Sequence, residues 1–218
     1  MITQLENGIF ARTVQIKDQG WDLTTYLWVT RSMNLYIDAG LGEDAILELK
    51  SMSHPNLPDT VLYSHHHFDH IWGATALHFP RIIAHSAFVN HVEKICADQH
   101  TQANLKEGKN AVRWPNVWVS EDMDLDDDIR IIVAPGHTDD GLMVYHKTLG
   151  ILFLGDLAAD EGQILPALDQ PVKSYVNSLK KLQLLTITKI LSSHRPPEES
   201  SYLNQLEENA YIRLGNVQ

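Results

Sequence analysis

The sequence has little cysteine, little positive charge and no long apolar run, and each shortage excludes a class of protein. Its single cysteine, Cys96, cannot form an internal disulfide, and we expect it to be a small buried hydrophobe in a helix. A formal net charge of -11, without any basic run, argues against a nucleic-acid partner. No stretch reaches the roughly eighteen apolar residues of a membrane span, and the first ten residues lack a signal core. We therefore expect no membrane partner and a cytoplasmic location.

The alternation of short strands and helices predicts an α+β fold. At 218 residues, 44% of them hydrophobic, the chain is long enough for one well-buried core, so we predict a single domain over 1–218. Strands are predicted at 9–16, 23–30, 35–38, 61–63, 81–84, 117–119, 129–134, 142–146, 151–154 and 189–191. Helices are predicted at 42–52, 71–79 and 87–105 (one helix or a helical pair), around Val172, Tyr175, Val176, Leu179 and Leu182, and around Leu203, Leu206, Ala210 and Leu214. Strands in two groups favour two packed sheets with helices outside.

The segment SHHHFDH, directly after a strand-like run, contains four histidines and one aspartate. Because alternate side chains of an extended loop share a face, His65 and His67 can converge while His66 turns away. Asp69 and His70 follow and can aim at a second point nearby, which suits two metals better than one. A polar loop whose histidines only bind backbone groups is the alternative, but the pattern H-x-H-x-D-H is hard to reach by chance.

Three more candidate ligands also follow predicted strands. They are His137 in APGHT, Asp156 in FLGD and His194 in LSSH. Each taken alone has an ordinary explanation as a turn residue. Together with the histidine-rich loop they indicate a metal site where several strands end.

These motifs resemble the metallo-β-lactamase superfamily of αββα metallohydrolases, and the match covers nearly the whole chain. The segments YIDAG, SHHHFDHIWG, PGHT and FLGD are similar to its glyoxalase-II-like branch in particular. The resemblance implies an αββα sandwich, with two mixed β-sheets flanked by helices. It also implies a binuclear metal site, in which the first metal is held by His65, His67 and His137, the second by Asp69, His70 and His194, and Asp156 bridges the two. Asp38 resembles the strand-end aspartate that supports the ligands.

The resemblance further implies a hydrolase. Two divalent cations would share a hydroxide that attacks a small ester, thioester, lactone or related acyl substrate, and Asp69 would shuttle a proton to the leaving group. Ligands without thiolate suit zinc first, with iron and manganese open. A small molecule is the expected partner, and a homodimer is a possible assembly.

Several departures from the family pattern narrow the substrate. Aspartate at position 156, where one β-lactamase subclass uses cysteine, makes antibiotic hydrolysis unexpected. Only 24 residues follow His194, so the glutathione-binding domain of glyoxalase II is not expected, and His194 lies in SSHRPP rather than P-G-H-G. Two other functions stay open. One is a mononuclear-iron persulfide dioxygenase of the same fold, with iron held by His65, His67 or His137 and an aspartate; the other is a metal-binding protein without catalysis.

The remaining aromatic residues have simpler interpretations. Trp72 either walls the pocket or packs in the core. Trp114 and Trp118 flank Pro115 in a segment that could cover the site, but we expect them to pack in the core. The other histidines lack a supporting pattern, and we interpret them as surface or ordinary core residues: His54, His66, His78, His85, His91, His100 and His146.

Overall fold

The computed structural model describes residues 1–16 and 20–215. The chain divides into two compact units, Met1–Ser120 and Glu121–Gln218, which we call the N-terminal and C-terminal units. Each unit has one mixed β-sheet, its own helices and its own apolar core. The two mixed sheets with flanking helices that the sequence predicts are therefore confirmed. A single domain over the whole chain stays a prediction.

The sheet of the N-terminal unit has seven strands that neighbour one another in chain order. Its strands are β1 (Ile2–Glu6), β2 (Ile9–Ile16), β3 (Trp21–Val29), β4 (Asn34–Ile37), β5 (Asp59–Leu62), β6 (Arg81–His85) and β7 (Val117–Val119). The first four strands pair antiparallel, and β4 to β7 pair in parallel. Parallel neighbours need crossover connections, which contain α1 (Glu43–Lys50), α2 (Phe68–Ile71) and α3 (Val92–Thr101).

The sheet of the C-terminal unit has five strands in the order β12-β11-β10-β9-β8. Its strands are β8 (Met123–Asp124), β9 (Ile129–Val133), β10 (Leu142–His146), β11 (Ile151–Phe153) and β12 (Lys189–Leu191). Only β11 and β12 pair in parallel, and α4 (Val172–Leu182) connects them, while α5 (Tyr202–Gly215) follows β12. Short 3₁₀ helices in the two units lie at Gly73–Ala76, Ser86–His91, Ala103–Leu105 and Gly155–Leu157.

The apolar core of the C-terminal unit lies between its sheet and two helices. The predicted apolar face of α4 packs there with α5, because residues three and four positions apart share one side of a helix. The predicted last helix is α5, in which Leu203, Leu206 and Ala210 are buried and Leu214, in the last turn, is 38% exposed. No helix within the described residues is long and apolar enough to cross a bilayer.

The predicted helix over 71–79 is wrong, because α2 ends at the point where that helix was to begin. A 3₁₀ helix, Gly73–Ala76, follows it instead. A Cβ atom at Gly73 would overlap the backbone carbonyl oxygens of Ala39 and Gly42. The chain therefore passes very close to the turn that follows β4, and only glycine fits there.

Other differences from the predicted elements are smaller. The predicted helix or helical pair over 87–105 is α3 with a 3₁₀ helix on each side. The sequence did not predict β1 or β8, each of which lies at one edge of its sheet. Strand β8 lies in the acidic segment 121–128, where polar residues and a length of two residues leave little strand pattern to detect.

Three predictions about single side chains were wrong. Cys96 is exposed on α3, since the buried side of that helix is formed by Ile95. Trp114 and Trp118 are each 45% exposed, and only part of each ring packs against the buried Phe88. In contrast, Trp72, for which two roles were open, is fully buried in the core of the N-terminal unit.

Candidate metal centre

The loop between β5 and α2 carries the densest group of candidate ligands. His65 Nε2 and His67 Nδ1 face each other at 2.9 Å, and the two rings lie edge to face with centroids 4.5 Å apart. The His66 ring lies farther away, with its centroid 6.3 Å from that of His65. The His66 ring is still 4.8 Å from the His67 ring, because the backbone bends at residues 64–66 instead of running extended. Within the N-terminal unit, His65 and His67 therefore present two nitrogen donors to one place.

Asp69 and His70 form a second pair of donors on α2. Nε2 of the fully buried His70 lies 3.4 Å from Asp69 Oδ2. The ring centroid of His70 is also 4.1 Å from that of His65. The two pairs of donors in this unit are therefore neighbours.

Asp38, directly after β4, orients the buried imidazole of His70. It has a φ of +63°, a left-handed conformation in which aspartate is several-fold enriched over most residues. Its carboxylate accepts hydrogen bonds from the Ser64 backbone N–H (2.7 Å), the Ser64 hydroxyl (2.9 Å) and His70 Nδ1–H (2.7 Å). A histidine that donates through Nδ1 keeps the lone pair of Nε2 for a metal. Asp38 thus fixes the ring in the tautomer that a ligand needs.

One contact of this unit has no signal in the sequence. His66 and His91 stack face to face, with centroids 3.6 Å apart and an angle of 2° between the rings. His91 ends the 3₁₀ helix before α3, and the sequence pattern gives no reason to pair the two residues. The stack places the imidazole of His91 beside the ligand loop, against the ring of His66.

In the C-terminal unit, His137 lies in the loop after β9 and is fixed by backbone groups. Its Nδ1 donates a hydrogen bond to the Ala167 carbonyl at 2.8 Å, and its own carbonyl accepts one from the Asp169 N–H at 2.9 Å. The bond to the Ala167 carbonyl fixes the tautomer of His137, as the bond to the Asp38 carboxylate fixes that of His70. Nε2 of His137 is therefore the nitrogen left for a metal.

Asp156 and His194 come from two further strand ends of the same unit. Asp156 lies in the 3₁₀ helix after β11, and His194 in the loop after β12. One carboxylate oxygen, Asp156 Oδ2, lies 3.3 Å from His194 Nε2 and 3.8 Å from His137 Nε2. The structure thus brings together the three candidates that the sequence predicted after strands, with the carboxylate close to both imidazoles.

Helix α4 holds two of these ligand loops by side-chain hydrogen bonds. The Tyr175 hydroxyl donates to the Leu157 carbonyl at 3.1 Å, and the Ser178 hydroxyl donates to the Pro135 carbonyl at 2.6 Å. Burial raises the pKa of Tyr175 well above its ordinary value, so the phenol stays a donor. A Cβ atom at Gly136 would lie 2.7 Å from Leu157 Cδ1 and 2.8 Å from Tyr175 Cδ2. The loops therefore pack tightly against the helix.

The donors in both units fit divalent transition metals. They are imidazole nitrogens and carboxylate oxygens, and in each unit donor atoms of different residues lie within 4 Å of each other. Such a set, without thiolate, suits zinc, iron or manganese and does not choose among them. That the two groups share one pair of metals stays a prediction.

The fold and the donors together define a metal-binding protein built on two mixed β-sheets. The family model of the metallo-β-lactamase superfamily matches residues 24–194, which is well over half of the chain. The chain belongs to this superfamily, as its motifs predicted.

Two curated relatives share part of the sequence. The hydroxyacylglutathione hydrolase of Aeromonas salmonicida (strain A449) is 35% identical over 136 residues, which cover 60% of this chain and 45% of that protein. The hydroxyacylglutathione hydrolase of Aeromonas hydrophila subsp. hydrophila is 28% identical over 141 residues, covering 63% and 48% respectively. The matched region is thus about half the length of these relatives.

Solved structures with the same fold are more distant in sequence. The metallo-β-lactamase FIM-1 of Pseudomonas aeruginosa, solved in a mono-zinc form, is 16% identical with a TM-score of 0.75, covering 98% of this chain and 95% of that one. The metallo-β-lactamase of Pontibacter korlensis is 19% identical with a TM-score of 0.73, covering 97% and 98%. At these identities the likeness shows the fold.

Proposed function

We propose that this chain is a metal-dependent hydrolase of a small ester, thioester, lactone or related acyl substrate. Membership of the superfamily and the donor sets of both units support the metal dependence. The partial likeness to two hydroxyacylglutathione hydrolases supports an acyl substrate. The observation that carries the proposal is the position of Asp156 Oδ2 beside the Nε2 atoms of both His137 and His194.

In this proposal two divalent cations bind, with zinc as the first choice and iron or manganese as the others. The first would be held by His65, His67 and His137, the second by Asp69, His70 and His194, and Asp156 would contact both. The family pattern supports this assignment, and so do the short donor distances inside each unit.

The chemistry divides between the cations and the chain. Bound divalent cations supply Lewis acidity, which polarises a substrate carbonyl and lowers the pKa of water toward neutrality. Asp38 and the Ala167 carbonyl hold the rings of His70 and His137 in one tautomer and orientation. Asp69, only 7% exposed, is the proposed acid–base residue, and its carboxylate carries a proton to the leaving oxygen or sulfur.

The substrate in this proposal is a small molecule. A glutathione portion is not assumed, because the matched region is about half the length of the curated relatives. A cytoplasmic location and a homodimer stay predictions from the sequence.

The test combines metal content with a panel of substrates. The chain is stripped with a chelator, reloaded with zinc, iron or manganese, and assayed on esters, thioesters and lactones, with phosphodiesters for comparison. We expect two metals per chain and acyl hydrolysis that chelation abolishes. His67→Ala and His194→Ala, one from each unit, should each lower kcat/KM by about 100-fold or more, since each removes a metal ligand. His100→Ala, at an exposed position of α3, is the matched control.

Three results would contradict the proposal. One iron per chain with oxygen uptake on a persulfide would indicate a dioxygenase instead. Metal binding without turnover of any acyl substrate would indicate a binding protein. Unchanged metal content and activity in His194→Ala would show that His194 is not a ligand, which contradicts the proposed pair of metals.

A further inference from the structure

His194 lies in a loop whose two ends are joined by a backbone bridge. The Ile190 N–H donates to the Glu198 carbonyl at 2.8 Å, and the Glu198 N–H donates to the Ile190 carbonyl at 2.9 Å. The segment between them, LSSHRPP, contains no glycine, and its two prolines restrict φ. The loop therefore has little backbone freedom between its two ends.

Arg195, the residue after His194, binds three partners with its guanidinium group. Nε and Nη2 donate to Glu198 Oε1 at 3.1 and 2.6 Å. Nη1 donates to the Ala159 carbonyl at 3.0 Å and to the Tyr202 hydroxyl at 2.6 Å. The Ala159 N–H also donates to that hydroxyl, at 3.0 Å. The side chain of Arg195 is only 15% exposed and that of Glu198 is 34% exposed, so these bonds are partly shielded from water.

These bonds connect the loop of His194 to the segment that follows Asp156. Ala159 stands three positions after Asp156, and Arg195 holds its carbonyl. Two residues further on, the Glu161 N–H donates to the carbonyl of His194 itself at 3.2 Å. The loops that carry the two candidate ligands are thus joined at two points.

The geometry requires an arginine rather than any cation. One planar group reaches the Glu198 carboxylate, the Ala159 carbonyl and the Tyr202 hydroxyl, and its carbon lies 4.2 Å from the centroid of the Tyr202 ring. Burial raises the pKa of Tyr202, so its hydroxyl stays neutral under the guanidinium. A lysine ammonium is a point charge that lacks the fork and cannot satisfy all three partners.

We infer that Arg195 is a positioning residue that fixes His194 relative to Asp156, whose Oδ2 lies 3.3 Å from His194 Nε2. This inference rests on the proposed function, in which the two side chains contact one metal. Loss of a group that orients metal ligands typically lowers metal affinity about 10- to 100-fold. The inference also gives a role to SSHRPP, the departure from the family pattern at this loop.

Zinc affinity of the full chain tests the inference. The metal-free wild type, Arg195→Ala, Arg195→Lys and the matched control Arg213→Ala, exposed near the end of α5, are titrated with zinc against a chromophoric chelator. We expect Arg195→Ala to bind one of two zinc ions about tenfold or more weakly, Arg195→Lys to bind it with intermediate affinity, and Arg213→Ala to match wild type. Absorption of bound cobalt(II) should change in Arg195→Ala, because the ligand geometry changes.

The melting temperature of each metal-free variant separates positioning from a general loss of stability. A lower melting temperature with wild-type zinc affinity in Arg195→Ala would overturn the inference and leave the proposed function intact. If Arg195→Ala does not fold, Arg195→Lys decides, and equal affinities for Arg195→Lys and wild type would overturn it. A wild-type chain that binds no divalent metal would overturn the inference and the proposed function together.

Discussion

The two units position their candidate ligands by different means. In the N-terminal unit the candidate ligands come from the single stretch HHHFDH. The side chain of Asp38 holds the most buried of them, His70, by a hydrogen bond. In the C-terminal unit three ligands come from loops after three different strands. Backbone carbonyls, α4 and Arg195 hold those loops in place.

This difference shows that a site can be positioned by local spacing along the chain or by tertiary contacts between separate loops. Donors that lie within six consecutive residues are brought near one another by the local chain itself, and the Asp38 carboxylate is one contact that supports them. Ligands on separate strands keep their distances only if helices and neighbouring loops hold them. Substitutions in the two units should therefore differ in size and kind of effect.

The largest expected effect comes from removing the carboxylate of Asp38. Asp38→Ala leaves the Ser64 N–H and His70 Nδ1 without their buried acceptor, which we expect to lower the free energy of unfolding of the metal-free chain by about 3 kcal/mol. Asp38→Asn keeps the left-handed backbone and should lose less. Urea denaturation measures both variants.

The C-terminal unit offers a control for this prediction. His137 is held by a carbonyl of the main chain, which no side-chain substitution removes. Asp169→Ala removes an exposed carboxylate beside that bond and should change stability by less than about 0.5 kcal/mol. A loss in Asp169→Ala as large as that in Asp38→Ala would remove the distinction between the units.

Alanine substitutions at one glycine of each unit compare how rigidly the two units are packed. In Gly73→Ala the new methyl group meets two backbone carbonyl oxygens at 2.2 and 2.4 Å, whereas in Gly136→Ala its two shortest contacts are to side-chain atoms of Leu157 and Tyr175, at 2.7 and 2.8 Å. We expect losses of about 2 and about 1 kcal/mol respectively, measured by urea denaturation. Gly215→Ala is the control, because among the described residues the added carbon meets no atom within 4 Å outside its own stretch of helix. The reverse order would show that the contacts of α4 are the stiffer ones.

The smallest expected effect is a pH dependence of stability that His146 of the C-terminal unit contributes. Burial lowers the pKa of His146, with Asp128 and Asp126 opposing the shift. The unfolded chain then binds the proton more readily, so stability should be complete above about pH 6.5 and fall as the pH drops toward the lower folded value. His146→Gln should reduce this slope in unfolding measurements between pH 5 and 8. The effect is small because the side chain is only partly buried, and an unchanged slope would contradict it.

The contrast between local sequence pattern and tertiary contacts also explains how much of the fold could be predicted. Strands such as β2, β7, β10 and β12 have the predicted bounds, because apolar runs with clear ends mark them. The helix predicted over 71–79 failed because the close approach at Gly73 is set by another part of the chain. Cys96 was misplaced because the weak pattern of α3 does not show which side of the helix faces the core.

For the candidate site, residue types and spacing were enough to select the donors. The alternation of His65 and His67, and the positions of His137, Asp156 and His194 after strands, follow from the sequence. The groups that hold these donors in place do not follow from the sequence. The Ala167 and Ala159 carbonyls have no signature in the sequence, since every residue has a carbonyl, and the partner of His66 is known only once the chain has folded.

The solvent-exposed thiol of Cys96 gives the molecule one natural attachment point. A maleimide dye or a nitroxide would couple to a single known atom on α3, without any engineered cysteine and away from the ligand loops in the sequence. Broadening of the nitroxide signal by a paramagnetic ion such as cobalt(II) would then report the distance from that helix to the bound cation in solution. The same thiol can link two chains through an intermolecular disulfide in air, so a monothiol or phosphine reductant belongs in any study of oligomeric state.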